Sequence, residues 1–185
     1  YPNGADCALT LADYICRYVD ACVDLLRQRS AQPAINLLGV CQGGTFSVCY
    51  SALNLEKVRN LITTVTPIDF HAADDMLSHL FRHVDIDLLV DSSGNITGDL
   101  LNAVFLSLKP FRLAQQKYVH MLDGIDDGEM TKMFLRMEKW IFDSLALTDT
   151  ASREFACNFY QKNGLVKGDI VIDGRKVDLK TLNMP

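Results

Sequence analysis

Residues Gly39-Val40-Cys41-Gln42-Gly43-Gly44 form a G-x-C-x-G-G motif wedged between a short apolar run and a stretch of helical spacing. The run before it, Ile35-Asn36-Leu37-Leu38-Gly39-Val40, comes after a break at Gln32-Pro33 and reads as a strand buried in a parallel sheet. From Thr45 to Leu55 the residues Phe46, Cys49, Tyr50 and Leu53 recur at helical intervals. A second apolar strand, Leu61-Ile62-Thr63-Thr64-Val65, ends at Thr66-Pro67. Ahead of the motif, Thr10-Leu11-Ala12-Asp13 resembles a capping box with Asp in place of Glu. Behind it Leu11, Ile15, Val19, Cys22, Val23 and Leu26 predict an amphipathic helix with Cys22 on its buried stripe. Arg27 and Arg29 fall in the last turn, where cations suit the helix dipole. Helix, strand, helix, strand in this order is the pattern of an α/β fold with right-handed crossovers.

After Phe70 the pattern changes. Residues 71 to 165 carry little strand signal and predict helices over Leu100 to Leu108, Gln115 to Leu122, Glu129 to Phe142 and Ala151 to Lys162, the last stopped at Asn163-Gly164. A helical block inserted after a sheet strand reads as a cap over a site. Within it Met137, Trp140, Ile141 and Phe142 make an apolar patch, expected to pack in the helix bundle or else to meet a partner. Asp85, Asp87 and Asp91 are expected in a solvated loop, since they lack the ligand spacing of a calcium loop. Ile170 to Val177 alternates around Asp173-Gly174, a two-residue hairpin signal. The expected organisation is a core segment over 1–70, a helical cap over 71–165, and a hairpin returning to the core over 166–185.

Composition excludes several classes. The net charge is −5 and no Lys/Arg-rich run appears, so nucleic acid is not an expected partner. No apolar stretch reaches the roughly 20 residues of a membrane span. Tyr1-Pro2-Asn3-Gly4 has neither the basic start nor the apolar core of a signal peptide, and it lacks an initiator Met. Both ends read as cuts through a longer protein. The six cysteines, Cys7, Cys16, Cys22, Cys41, Cys49 and Cys157, include no C-x-x-C pair, which argues against structural zinc. All but Cys41 are expected to be reduced and to pack as small hydrophobes.

Cys41 is different because of its setting. A sharp strand-to-helix turn lifts a side chain above the sheet, and this is the context of a nucleophile elbow with Cys in the usual Ser position. Gly39, Gly43 and Gly44 would let strand and helix approach without clashing Cβ atoms. The helix N-terminus favours negative charge on the sulfur, and the Gln42 N–H would face a developing oxyanion. Such a thiolate suits acyl transfer from a thioester, with a His as base oriented by a carboxylate further along the chain. His71, His79, His83 and His120 all fall in the helical block, so none occupies the late position expected of that His. Asp69 comes just after the strand beside the nucleophile strand and is either the acid or a residue with a bland role, a loop hydrogen bond or a hinge to the cap. The expected acid and base therefore lie beyond Pro185.

Leu37-Leu38-Gly39-Val40-Cys41-Gln42-Gly43-Gly44 resembles the lipase-like box of polyhydroxyalkanoate synthases. Four more segments are similar in the same order: 57–61, 65–70, 105–111 and 136–143. The likeness is greatest to the class III catalytic subunit. It implies an α/β-hydrolase fold with a helical cap, incomplete at both ends. It implies a (3R)-hydroxyacyl-CoA substrate, short-chain such as 3-hydroxybutyryl-CoA, with Cys41 carrying the growing polyester as a thioester and CoA released. It implies no metal and no other cofactor, a second PhaE-like subunit in a homodimer or hetero-oligomer, and a place at cytoplasmic polyester granules. As a separate polypeptide these residues should then be inactive. The alternatives are a cysteine hydrolase of the same fold, of dienelactone-hydrolase or thioesterase type, and a non-catalytic interaction module.

Overall fold

A computed structural model of the protein describes residues 4–93 and 96–185; the Tyr1-Pro2-Asn3 start lies outside them. The capping box forms. Thr10 N–H and its hydroxyl both donate to Asp13 Oδ2 at 2.9 and 2.8 Å, and Asp13 N–H donates back to Thr10 Oγ1 at 3.2 Å. The helix opens with a wide π-type turn over Asp13–Val19 before α1, Asp20–Ser30. A π turn takes up one extra residue and rotates the rest of the helix about its axis. Of the two neighbours expected to face inward, Val23 is therefore buried and Cys22 is exposed. Leu26 is left on the surface for the same reason.

Strand β1, Ile35–Val40, pairs in parallel with β2, Val58–Thr64, and α2, Gln42–Leu53, crosses between them. β2 starts three residues before the expected Leu61, because Val58 is itself a buried core residue. One face of this pair packs on α2. The other carries Leu38, Val40 and Ile62, with Leu38 paired to Ile62, and it is open: Leu38 is 61% exposed and Ile62 49%. The strands are thus buried on one face here, where the sequence suggested two. The core beneath α2 collects Leu11, Ile15, Val23, Cys49, Tyr50, Val58 and Phe70 with Phe155, Phe159, Leu165, Ile170, Ile172 and Val177. Tyr50 Oη donates to Asp20 Oδ1 at 2.7 Å, and Lys57 Nζ reaches Asp20 and Asp24, which binds α1 to the start of β2.

Thr64 is succeeded by Val65 in the left-handed region at φ 47°, 77% exposed. A run of helices comes next: α3 Met76–Arg82, α4 Ile86–Ser93, α5 Gly98–Leu108, α6 Lys117–Asp123, α7 Gly128–Phe142 and α8 Asp149–Phe155. α4 occupies sequence expected to be loop. Asp85 caps α4 by accepting the Leu88 N–H at 3.0 Å, and Ile86 and Val90, one turn apart, are buried. Asp87 and Asp91 then share the guanidinium of Arg153 on α8 with Asp149. The Asp stretch is therefore a capped helix with ion-paired flanks. Wide turns also precede α6, over Phe111–Gln116, and succeed α8, over Ala156–Gln161. On α7 the apolar patch faces outward, with Trp140 72% exposed and Met137 and Phe142 about half so. The last elements are α9, Gly164–Lys167, and the hairpin β3 Val171–Ile172 and β4 Arg175–Lys176, turning through Asp173 and Gly174 at φ 51° and 69°. These two positive values are those of a type I′ turn. No helix of the described residues is long and apolar enough to cross a membrane.

Candidate active site

Cys41 sits between the last residue of β1 and the first of α2, at φ 52° and ψ −126°. Non-glycine residues are rarely found there, and such a conformation costs about 1–3 kcal/mol. Its surroundings hold it. Cys41 N–H donates to Thr64 O at 3.0 Å, extending the parallel ladder by one rung, and Cys41 O accepts from Gly44 N and Thr45 N at 2.9 and 3.2 Å. The residue is exposed.

The glycines explain how strand and helix come so close. A Cβ on Gly39 would lie 2.6 Å from Gly44 Cα and from Ser47 Oγ, and 2.7 Å from Gly43 O. A Cβ on Gly44 would lie 1.8 Å from Thr66 Oγ1. At Gly43 it would meet nothing within 4 Å. Of the three glycines expected to permit close approach, Gly39 and Gly44 are needed for it and Gly43 is not, because at Gly44 the helix turns back over the exit of β2. Gln42 is the first residue of α2, and its N–H has no carbonyl of its own helix to bind.

The histidines do not reach the sulfur. His71 Nε2 lies 3.0 Å from Tyr160 O, and His79 Nε2 lies 3.2 Å from Ala73 O. Among the described residues Cys41 Sγ has no hydrogen-bonded imidazole or carboxylate. Asp69 is engaged elsewhere: its Oδ1 accepts the His71 N–H at 2.9 Å and the Asn163 side-chain amide at 2.7 Å. Those two donors, the His71 N–H foremost, hold its carboxyl below the usual carboxylate range. This engagement fits the loop hydrogen-bond alternative.

Two residues of the site carry no functional signal in the sequence. Tyr160 is nearly buried, with its ring 4.8 Å from Phe70 and stacked at 5.0 Å on Phe81. Its phenol is pushed up, first by burial and then by the nearby charges of Cys41 and Asp75. Nothing in its spacing distinguishes it from a core aromatic. Asn163-Gly164 reads as a helix stop in which the glycine takes the special conformation, yet Asn163 itself is left-handed at φ 53°. Gly164 serves close packing instead, since a Cβ there would lie 2.9 Å from Asn158 O.

The chain matches a family model described as the alpha/beta hydrolase fold over residues 3–170. It is 56% identical over 185 residues to the "Poly(3-hydroxyalkanoate) polymerase subunit PhaC" of Allochromatium vinosum, covering 100% of this chain and 52% of the relative. The proteins of the same name from Thiocystis violacea and Synechocystis sp. are 52% and 49% identical, again over 100% of this chain and over 52% and 50% of their own lengths. The chain therefore spans about half the length of these curated relatives.

Proposed function

The chain belongs to the α/β-hydrolase fold family, and from that premise we propose that it is the nucleophile-bearing part of a polyhydroxyalkanoate synthase. The observation that carries this reading is Cys41 itself: a cysteine held exposed at positive φ on the turn into α2, in a chain 56% identical to a poly(3-hydroxyalkanoate) polymerase subunit. In the proposed reaction the Cys41 thiolate attacks the thioester carbonyl of a short-chain (3R)-hydroxyacyl-CoA. The Gln42 N–H receives the oxyanion, the carbon–sulfur bond to CoA breaks, and CoA leaves as a thiol. The acyl group remains on Cys41 as a thioester, close in energy to the one consumed. The hydroxyl of a further hydroxyacyl-CoA then attacks it, giving its proton to a base; the acyl bond to Cys41 breaks, the sulfur leaves as thiolate, and it takes the lengthened chain back from CoA by the same thioester exchange.

Proton transfer needs a base that the described residues do not bring to the sulfur. We assign it to a His, oriented by an Asp, in sequence outside these residues. Residues 71–165 act in this proposal as a cap, with 1–70 and 166–185 as core. The outward face of α7 at Met137, Trp140 and Phe142 contacts polymer or a second, PhaE-like subunit, and the assembly works at cytoplasmic polyester granules.

The test is an assay of the full-length protein with 3-hydroxybutyryl-CoA. Release of CoA with insoluble polymer is expected, and Cys41→Ala should lower it by at least about 10³-fold. Soluble hydroxy acid without polymer would mean a cysteine hydrolase. Unchanged turnover in the Cys41→Ala protein would remove the cysteine from the chemistry.

A further inference from the structure

The helical block ends on Asn163, which is 6% exposed and whose amide is committed at both ends. Its Oδ1 accepts the Phe70 N–H at 3.0 Å, and its Nδ2 donates to Asp69 Oδ1 at 2.7 Å, across 93 and 94 residues of sequence. A main-chain N–H can only donate and a carboxylate can only accept, so the amide has one orientation. The left-handed backbone suits Asn better than most residues, so conformation and bridging are met by the same side chain.

The loop gripped in this way leads back to the nucleophile. The hydroxyl of Thr45, a fully buried residue of the first turn of α2, donates to Pro67 O at 2.8 Å. Thr66 fills the space over Gly44. Thr64 O accepts the Cys41 N–H. On the other side Phe70 is sealed among Phe155, Phe159 and Tyr160, with ring centroids 5.8, 5.7 and 4.8 Å away. Loop 65–70 thus joins the strand end that holds the cysteine, the helix that begins there and the end of the helical block, and Asn163 is its polar anchor.

We propose that Asn163 is a positioning residue for acyl transfer: its amide fixes loop 65–70, and through Thr45 and Thr66 it fixes the turn that presents Cys41 and the Gln42 N–H. The proposal deepens the assignment of Cys41 as the acyl-transfer nucleophile and rests on it. Asn163 acts through other groups, so it should alter turnover more than substrate binding.

The chemistry suggests a swap. Asn163→Asp keeps the shape and the acceptor for Phe70 N–H but sets a carboxylate against Asp69. Combining it with Asp69→Asn removes the charge repulsion and restores one donor and one acceptor between 69 and 163 in reversed order, at the cost of the His71 N–H contact, because a single Asp69 oxygen takes both donors. In the full-length protein, two readouts are taken. One is kcat and KM for CoA release from 3-hydroxybutyryl-CoA. The other is the rate of Cys41 alkylation by iodoacetamide, monitored on its own peptide by mass spectrometry. For Asn163→Asp, kcat should fall at least about tenfold with KM within about twofold, since small displacements of a reacting group are costly. Alkylation should slow at least about threefold. The double variant should recover part of the loss, at least about threefold over Asn163→Asp in kcat and measurably in alkylation. Asn163→Gly keeps the left-handed backbone without the amide and should behave as Asn163→Asp, which gives a second reading if the charged variant does not fold. Parental kcat and alkylation in either single variant, or a double variant no better than Asn163→Asp, would overturn the proposal. If the parent protein releases no CoA, the acyl-transfer assignment fails by itself, and the alkylation series alone decides whether Asn163 positions Cys41.

Discussion

Around Cys41 each glycine has its own duty, and the sequence motif does not rank them. Gly39 is hemmed by main-chain atoms of α2, so Gly39→Ala must push strand and helix apart. It should cost about 1–3 kcal/mol in chemical denaturation, the usual range for overpacking. Gly43 lies inside α2 with open space around its Cα. Gly43→Ala should therefore stabilise the protein by about 0.5–1 kcal/mol, as Ala is the better helix former. Opposite signs from two alanines four residues apart would separate close approach from backbone freedom as the reason for the glycines. The bend at Cys41 and the helix start at Gln42 were legible from one hexapeptide because a strand, a turn and a helix N-terminus leave few other arrangements. Asn163 and Tyr160 were not, because their roles arise from contacts with Asp69, His71 and Phe70, nearly a hundred residues away.

Among elements, the parallel pair, the crossover helix and the Asp-Gly hairpin were readable because apolar spacing and turn chemistry are local. The wide turn over Asp13–Val19 was not readable. It preserves helical spacing on either side and only shifts which residue faces in, so of the neighbours Cys22 and Val23 only Val23 is buried. α4 was hidden because three acids suggested solvent, although Ile86 and Val90 carried the buried stripe. The α6–α7 pairing makes its own prediction. Glu138 on α7 accepts from Lys117 Nζ at 2.7 Å and from Tyr118 Oη at 2.6 Å. Burial opposes its ionisation, but those two donors outweigh it and hold the carboxyl below its ordinary value. With the folded value depressed, the stabilisation is present above the unfolded value and is lost as pH falls through the folded one. Acid titration of the melting temperature should show a step in that window, and Glu138→Gln should flatten it, at a cost of about 1 kcal/mol near neutral pH.

At the scale of the molecule, the sheet has one covered face and one bare one. Leu38, Val40 and Ile62 lie open on the bare face, and Trp140 lies open on α7. A polypeptide of these 185 residues should bind a hydrophobic dye such as anilinonaphthalene sulfonate while keeping its helical circular dichroism, and Leu38→Lys with Ile62→Lys should reduce that binding at least about twofold. Equal dye binding by the charged variant would place the sticky surface elsewhere. The sequence could not disclose this face, because a run such as Leu37-Leu38-Gly39-Val40 looks the same whether one side or both are covered.

The partnered strand ends Val40 and Thr64 each lead into a residue at positive φ, Cys41 after one strand and Val65 after the other. Cys41 is held there by its bonds to Thr64, Gly44 and Thr45, but Val65 is β-branched and solvent-facing, and a branched side chain is among the worst fits for it. A saturation library at position 65, sorted only for resistance to proteolysis, should therefore return Gly, Asn and Asp ahead of the resident valine. Glycine at 65 would also make the departure from β2 more pliant, so library members sorted for catalytic output should rank in a different order.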